Sequence, residues 1–162
     1  MSRGNPPERE LSAQGMRFAV VSTRWNAELV EQLLEGAQKA LARRKAADVA
    51  VHRCPGVFEL APLAARVARK GGIDGIVALG CLIRGGTDHY RVLCDEVTRA
   101  LGALALECGT SPHPVAVAFG VLTCETLEQA QERADPGRAD KGGEAALACV
   151  EQIHALRAVA AE

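Results

Sequence analysis

The stretch Ile76-Val77-Ala78-Leu79-Gly80-Cys81-Leu82-Ile83 carries no charge, amide or hydroxyl on any side chain. A strand with one face in water alternates apolar with polar residues, so an uninterrupted run needs cover on both faces. Phe18–Val21 is a shorter run of the same kind, and Val49–His52 and Val115–Leu122 bring the set to four. Between these runs the apolar spacing changes to that of a helix. Asn26 can cap a segment with Leu29, Val30, Leu33, Leu34, Ala37 and Leu41 on one face. Leu60, Leu63, Ala64, Val67 and Ala68 form a second stripe, with Pro62 in its first turn and Gly71-Gly72 ending it. Val92, Leu93, Val97, Leu101 and Leu104 form a third. A short helix near Glu125–Arg133 and a long one over about Gly142–Val159 follow the last strand. Continuous apolar strands separated by helices predict a parallel sheet, and right-handed crossovers make it a three-layer, doubly wound α/β/α sandwich.

Residues 1–15 are polar and rich in glycine and proline, and are expected to form a flexible tail before a single domain over 16–162. A chain of 162 residues buries roughly 70% of its unfolded surface without needing a metal or disulfide. A formal net charge of −1 and 3% aromatic residues argue against nucleic acid as a partner. Cys54, Cys81, Cys94, Cys108, Cys124 and Cys149 are scattered singly, with no C-x-x-C pair, so free thiols are expected and no metal site. Met1–Gly15 has no apolar core of a secretion signal, and no run approaches the ~20 residues of a membrane span. These features fit a reducing cytoplasm.

In doubly wound sheets, ligands bind outside the carboxyl ends of the strands, where the strand order reverses. That singles out Arg24-Trp25-Asn26, Gly56-Val57-Phe58-Glu59, residues 81–89 and Thr123-Cys124. Trp25, the only tryptophan, either stacks on a flat heterocycle or packs beneath its loop. Phe58, opening an apolar helix face, leans toward the core. Glu59 suits dipole compensation in a first helical turn better than ligand binding. Gly85-Gly86 lets backbone N–H groups approach a ligand closely, and Thr87 can open a helix whose N-terminus favours an anion. His89 then falls beside that anion, whereas His52, His113 and His154 have no glycine-rich turn for company. The motif matches neither G-x-x-x-x-G-K-[ST] nor G-x-G-x-x-G, so the anion expected is a simple phosphate ester.

Cys54-Pro55-Gly56-Val57-Phe58-Glu59, Ala78–Tyr90, Val117–Thr123, Glu128–Ala134 and Lys141–Ala146 together resemble lumazine synthase, over about Arg17–Arg157. The resemblance implies a flavodoxin-like fold and condensation of 5-amino-6-(D-ribitylamino)uracil with 3,4-dihydroxy-2-butanone 4-phosphate to 6,7-dimethyl-8-ribityllumazine, with no metal or organic cofactor. It implies that Trp25 stacks on the pyrimidine, that Asn26 beside it is a further substrate-binding residue, and that Val57, Phe58 and Glu59 contact the ribityl chain. Cys81, Leu82 and Ile83 would line the pyrimidine pocket, Gly86 and Thr87 would bind the phosphate, and His89 would transfer protons. Phe119 and Arg133 would reach the site from a neighbouring subunit, Arg133 as phosphate clamp, with Lys141 close by. A homopentamer is implied, compatible with a 60-subunit icosahedral shell and with riboflavin synthase as a companion. A catalytically silent lumazine- or flavin-binding or shell-forming homologue is the alternative; retention of His89, Arg133 and Lys141 weighs against it.

The chain departs from the family pattern at a few points. Trp25 stands where phenylalanine is common in bacterial members. Asp88 brings a negative charge beside the phosphate loop, Thr110–Pro114 lengthens the connection before the fourth strand, and Asp135–Asp140 lacks the insertion of strictly pentameric members.

Overall fold

Strand β1 (Arg17–Thr23) is buried from Phe18 onward, and in the computed structural model, which describes residues 10–161, it lies inside the sheet. On one side it pairs in parallel with β2 (Asp48–Cys54), from Arg17↔Asp48 to Thr23↔Cys54. On the other it pairs with β3 (Gly75–Ile83), from Phe18↔Gly75 to Ser22↔Leu79. β4 (Ala116–Cys124) pairs along the far edge of β3, giving the order β2-β1-β3-β4 among the described residues. The chain moves outward to β2 and then returns past β1 to β3. The switch in strand order therefore falls between β1 and β3.

Side chains alternate across this sheet and meet two separate apolar clusters. Phe18 and Val20 pack on one face with residues of α1 (Ala27–Arg43) and α5 (Lys141–Ala160). Ala19 and Val21 pack on the other with α2 (Leu60–Lys70) and α3 (His89–Gly109). This is the three-layer sandwich that the continuous apolar runs require, with the flavodoxin-like arrangement that the resemblance implies. β1 from Phe18 and β3 as far as Cys81 carry the doubly buried pattern, whereas β2, at an edge, is only partly covered. Strand ends run beyond the apolar signal because the ladder carries polar residues such as Asp48 and Arg53 with it.

Helix boundaries follow from local chemistry. Pro62 sits in the first turn of α2, and Gly71 ends it at φ 75°, a left-handed value that glycine adopts freely. The side chain of Thr126 accepts from the Gln129 amide to open α4 (Leu127–Ala134), and Asp140 accepts from Gly143 to open α5. Two expected caps differ. Thr87 does not open α3, which begins at His89 after Asp88, and Asn26 precedes α1 without capping it through its side chain.

Of the tail expected over residues 1–15, residues 1–9 lie outside the described residues, and the end of it is docked. Ala13 is fully buried and its amide donates to the Arg44 carbonyl at 2.7 Å, while Gln14 bridges to Ala46. An alanine and a short backbone bridge carry no periodic signal, so this docking is not visible in composition.

α1 and α5 approach so closely that a Cβ on Gly142 would collide with the Leu33 carbonyl. Backbone cannot yield as a flexible side chain can. Gly142→Ala is therefore expected to cost about 2–3 kcal/mol by overpacking, read as a fall of roughly 5–10 °C in thermal midpoint for a chain of this size.

Candidate active site

Three strand ends are joined at the carboxyl edge of the sheet. As β1 ends, the amide of Arg24 donates to the Cys54 carbonyl at 2.9 Å and that of Trp25 to the Pro55 carbonyl at 3.2 Å. The Thr23 hydroxyl donates to the Trp25 carbonyl at 3.4 Å. On the other side, Nδ2 of Asn26 donates to the Cys81 carbonyl at 2.8 Å, linking β1 to β3 across the switch point. The Trp25 ring crosses toward Gly56, where a Cβ would lie 3.4 Å from its Cδ1. It is 73% exposed, which removes the alternative of a tryptophan packed under its loop.

The loop after β2 tightens into a single 3-10 turn over Val57–Glu59. Val57 is buried against Gly80, where a Cβ would come within 3.1 Å of Val57 Cγ1. Its neighbour Phe58 is thereby turned outward and is 61% exposed, correcting the expectation that Phe58 belongs to the core. Glu59 accepts from the Gly56 amide at 2.9 Å through Oε2, so its carboxylate braces the turn facing Trp25. The rim thus presents two large exposed rings beside a fixed carboxylate.

At the end of β3, Cys81 is buried while Leu82 and Ile83 are half-buried. Burial, aided by the nearby Cys124 sulfur, pushes the Cys81 thiol up to about 12. The ladder continues as the Arg84 amide donates to the Cys124 carbonyl at 2.9 Å, and the Arg84 guanidinium pairs with Glu125 at 3.2 Å. Gly85 to Thr87 follow as exposed chain. A Cβ on Gly85 or Gly86 would meet nothing within 4 Å, and neither residue has a left-handed φ. The fold of the chain does not demand glycine there. Among the described residues, the amides of Gly85, Gly86 and Thr87 find no acceptor, leaving a row of donors beside His89 at the start of α3. Such a row, leading into a helix N-terminus, can hold an anion.

The remaining expected site residues lie on other elements, β4, α4 and α5. Phe119 lies mid-strand on β4, 44% exposed at the sheet edge, four residues or roughly 13 Å along the strand from Thr123. Arg133 sits on α4, donating to its own helix at the Gln129 carbonyl, 3.1 Å away. Its charge still reaches Cys124, where it opposes the rise that burial causes in that thiol. Lys141 opens α5 and pairs with Glu144. Sequence reasoning missed the Asn26–Cys81 bond, which joins residues 55 apart and leaves no local pattern.

The chain matches the family model described as 6,7-dimethyl-8-ribityllumazine synthase over residues 15–157. The chain belongs to this family. It is 48% identical over 158 residues to the 6,7-dimethyl-8-ribityllumazine synthase of Anaeromyxobacter dehalogenans (strain 2CP-C), covering 96% of this chain and 94% of the relative. The synthase of that name from Kineococcus radiotolerans is 46% identical over 162 residues, covering 99% and 97%. That of Aquifex aeolicus is 39% identical over 154 residues, covering 94% and 97%. Membership in the lumazine synthase family makes this an enzyme of the transferase class acting on small molecules. Among the described residues no helix is long and apolar enough to cross a membrane, and no three His, Cys, Asp or Glu side chains gather as a metal would require.

The thiolate is the reactive form of cysteine, and a thiol titrating near 12 holds fewer than about one part in ten thousand of it near neutral pH. Cys81 and the fully enclosed Cys149, also raised to about 12 by burial, are expected to stay unmodified by iodoacetamide in the folded protein. Both should alkylate after denaturation, as peptide mass spectrometry will read.

Proposed function

We propose that the chain condenses 5-amino-6-(D-ribitylamino)uracil with 3,4-dihydroxy-2-butanone 4-phosphate, yielding 6,7-dimethyl-8-ribityllumazine, phosphate and water, the penultimate step of riboflavin biosynthesis. The observation that carries it is the family match along residues 15–157, which includes all four strand-end loops. The exposure of Trp25 and Phe58 supports the assignment, because soluble chains rarely leave two large rings uncovered beside a rim of fixed polar groups without a ligand to receive.

In this reading Trp25 stacks on the pyrimidine, with Asn26 next to it. Val57, Phe58 and Glu59 follow the ribityl chain, and Cys81, Leu82 and Ile83 close the pocket from β3. Gly86 and Thr87 offer N–H groups and a hydroxyl to the phosphate. The uracil amine adds to the ketone and loses water to give an imine, phosphate then leaves, and ring closure with a second loss of water completes the product. Every step moves protons, and His89, beside the phosphate loop, relays them. Stabilising the departing phosphate falls to the Gly86–Thr87 amides and to Arg133, whose planar guanidinium can hold two oxygens at once.

Phe119 and Arg133 belong, on this proposal, to the site of an adjacent subunit in a homopentamer, with Lys141 near the same junction. The place of Phe119, exposed mid-strand on β4 and away from the strand's carboxyl end, supports that division. A pentamer could further assemble into a 60-subunit shell enclosing riboflavin synthase. Burial of five of the six free thiols supports a reducing cytoplasm as the setting.

Mixing the purified protein with both substrates should accelerate the rise of lumazine absorbance and the release of phosphate in step; no acceleration over the spontaneous reaction would sink the assignment. Arg133→Ala is expected to raise the KM for the butanone phosphate about tenfold, the scale of one lost charge-assisted contact, with a smaller change for the pyrimidine. Equal changes for both substrates would remove Arg133 from the phosphate. Light scattering should give a mass that is a multiple of five chains.

A further inference from the structure

An asparagine before a helix ordinarily turns its side-chain oxygen back to cap the second or third amide. Asn26 does otherwise. It stands at φ 56°, ψ 47°, a left-handed conformation that asparagine tolerates better than most residues. Its amide is directed away from α1, onto the Cys81 carbonyl 2.8 Å away. The helix is left without a side-chain cap, so this contact is made at the expense of local stability.

The place of the contact explains what it accomplishes. The β1–β3 ladder stops at Ser22↔Leu79, one residue before β1 ends at Thr23, while β3 continues beside β4 as far as Ile83. The Asn26 amide adds a further rung beyond the ladder. Trp25 is thereby held from both sides, by its own amide on the Pro55 carbonyl and by its neighbour's side chain on Cys81. The ring, 73% exposed, has little packing to orient it. Its attitude comes from the backbone beneath.

We infer that Asn26 is a positioning residue: by bonding the Cys81 carbonyl across the β1–β3 crevice it fixes the angle at which Trp25 is offered to the pyrimidine. Its catalytic consequence rests on the proposed stacking role of Trp25. The structural part stands apart from that role, because Trp25 is the only tryptophan and its emission reports this loop alone.

Two variants separate amide from backbone. Asn26→Gly keeps the left-handed conformation without cost and deletes the amide, whereas Asn26→Asp keeps the shape and sets an acceptor against the carbonyl. Without substrate, both should enlarge the fast component of Trp25 time-resolved anisotropy, with thermal unfolding confirming that each variant is folded. With substrates, both should raise the KM for the pyrimidine about tenfold, the scale of one lost orienting hydrogen bond, and that for the butanone phosphate less than about twofold.

Unchanged anisotropy in both variants overturns the inference. If the pyrimidine KM nonetheless rises, Asn26 contacts the ligand directly. A wild-type Asn26→Gly beside an impaired Asn26→Ala also overturns it, leaving only a backbone requirement. Loosened anisotropy in a protein that shows no lumazine formation at all would preserve the positioning role and dismiss the proposed reaction instead.

Discussion

The pairing of β1 with β3 sets every other position at the rim. Both strands lie inside the sheet, and Phe18 through Val21, Ile76 through Leu79 are fully enclosed. Burying large apolar side chains of this kind contributes about 1.5–3 kcal/mol each. A slip of one residue would turn Phe18 and Val20 toward α2 and α3 and exchange the two clusters. Register is therefore strongly specified. Once it is set, the places where β1 and β3 leave the sheet are set too, and with them Trp25, Cys81 and the crevice between.

Legibility in the sequence tracked the range of the interactions responsible. The apolar runs declared β1 and β3 because enclosure on two faces suppresses polar residues in the strand itself. Gly71 marked the end of α2 because a positive φ at a helix terminus is a local requirement. Phe58 misled, since its outward turn depends on Val57 packing against Gly80, more than twenty positions along the chain. Asn26 misled for the same reason: a side chain suited to capping was drawn to Cys81 instead. The start of α3 was placed early because Thr87 and Asp88 are both acceptable caps by type, and neither side chain makes the bond.

The site loops were legible as places, since the strand order of a doubly wound sheet fixes where ligands can enter. Gly85-Gly86 and His89 pointed to an anion by residue type alone, but the reaction was legible only through the motifs that resemble a known family, which the family match then supported over nearly the whole domain. Phe119 and Arg133 had no local signal of function at all. One is an apolar residue in a strand and the other a basic residue near a helix end, each ordinary in that setting.

The two sides of the rim differ in how firmly they are built. The tryptophan side is tied down by hydrogen bonds from Arg24, Trp25 and Asn26, whereas the amides of Gly85, Gly86 and Thr87 meet no acceptor among the described residues. A heterocycle arriving at the first side meets a shape already made. An anion arriving at the second meets donors that no bond within the chain holds in place, and any ordering they need is subtracted from its affinity. On the proposed assignment, a phosphate ester at this loop is held less tightly than its contacts alone provide, which suits a group that has to depart once its bond to carbon is broken.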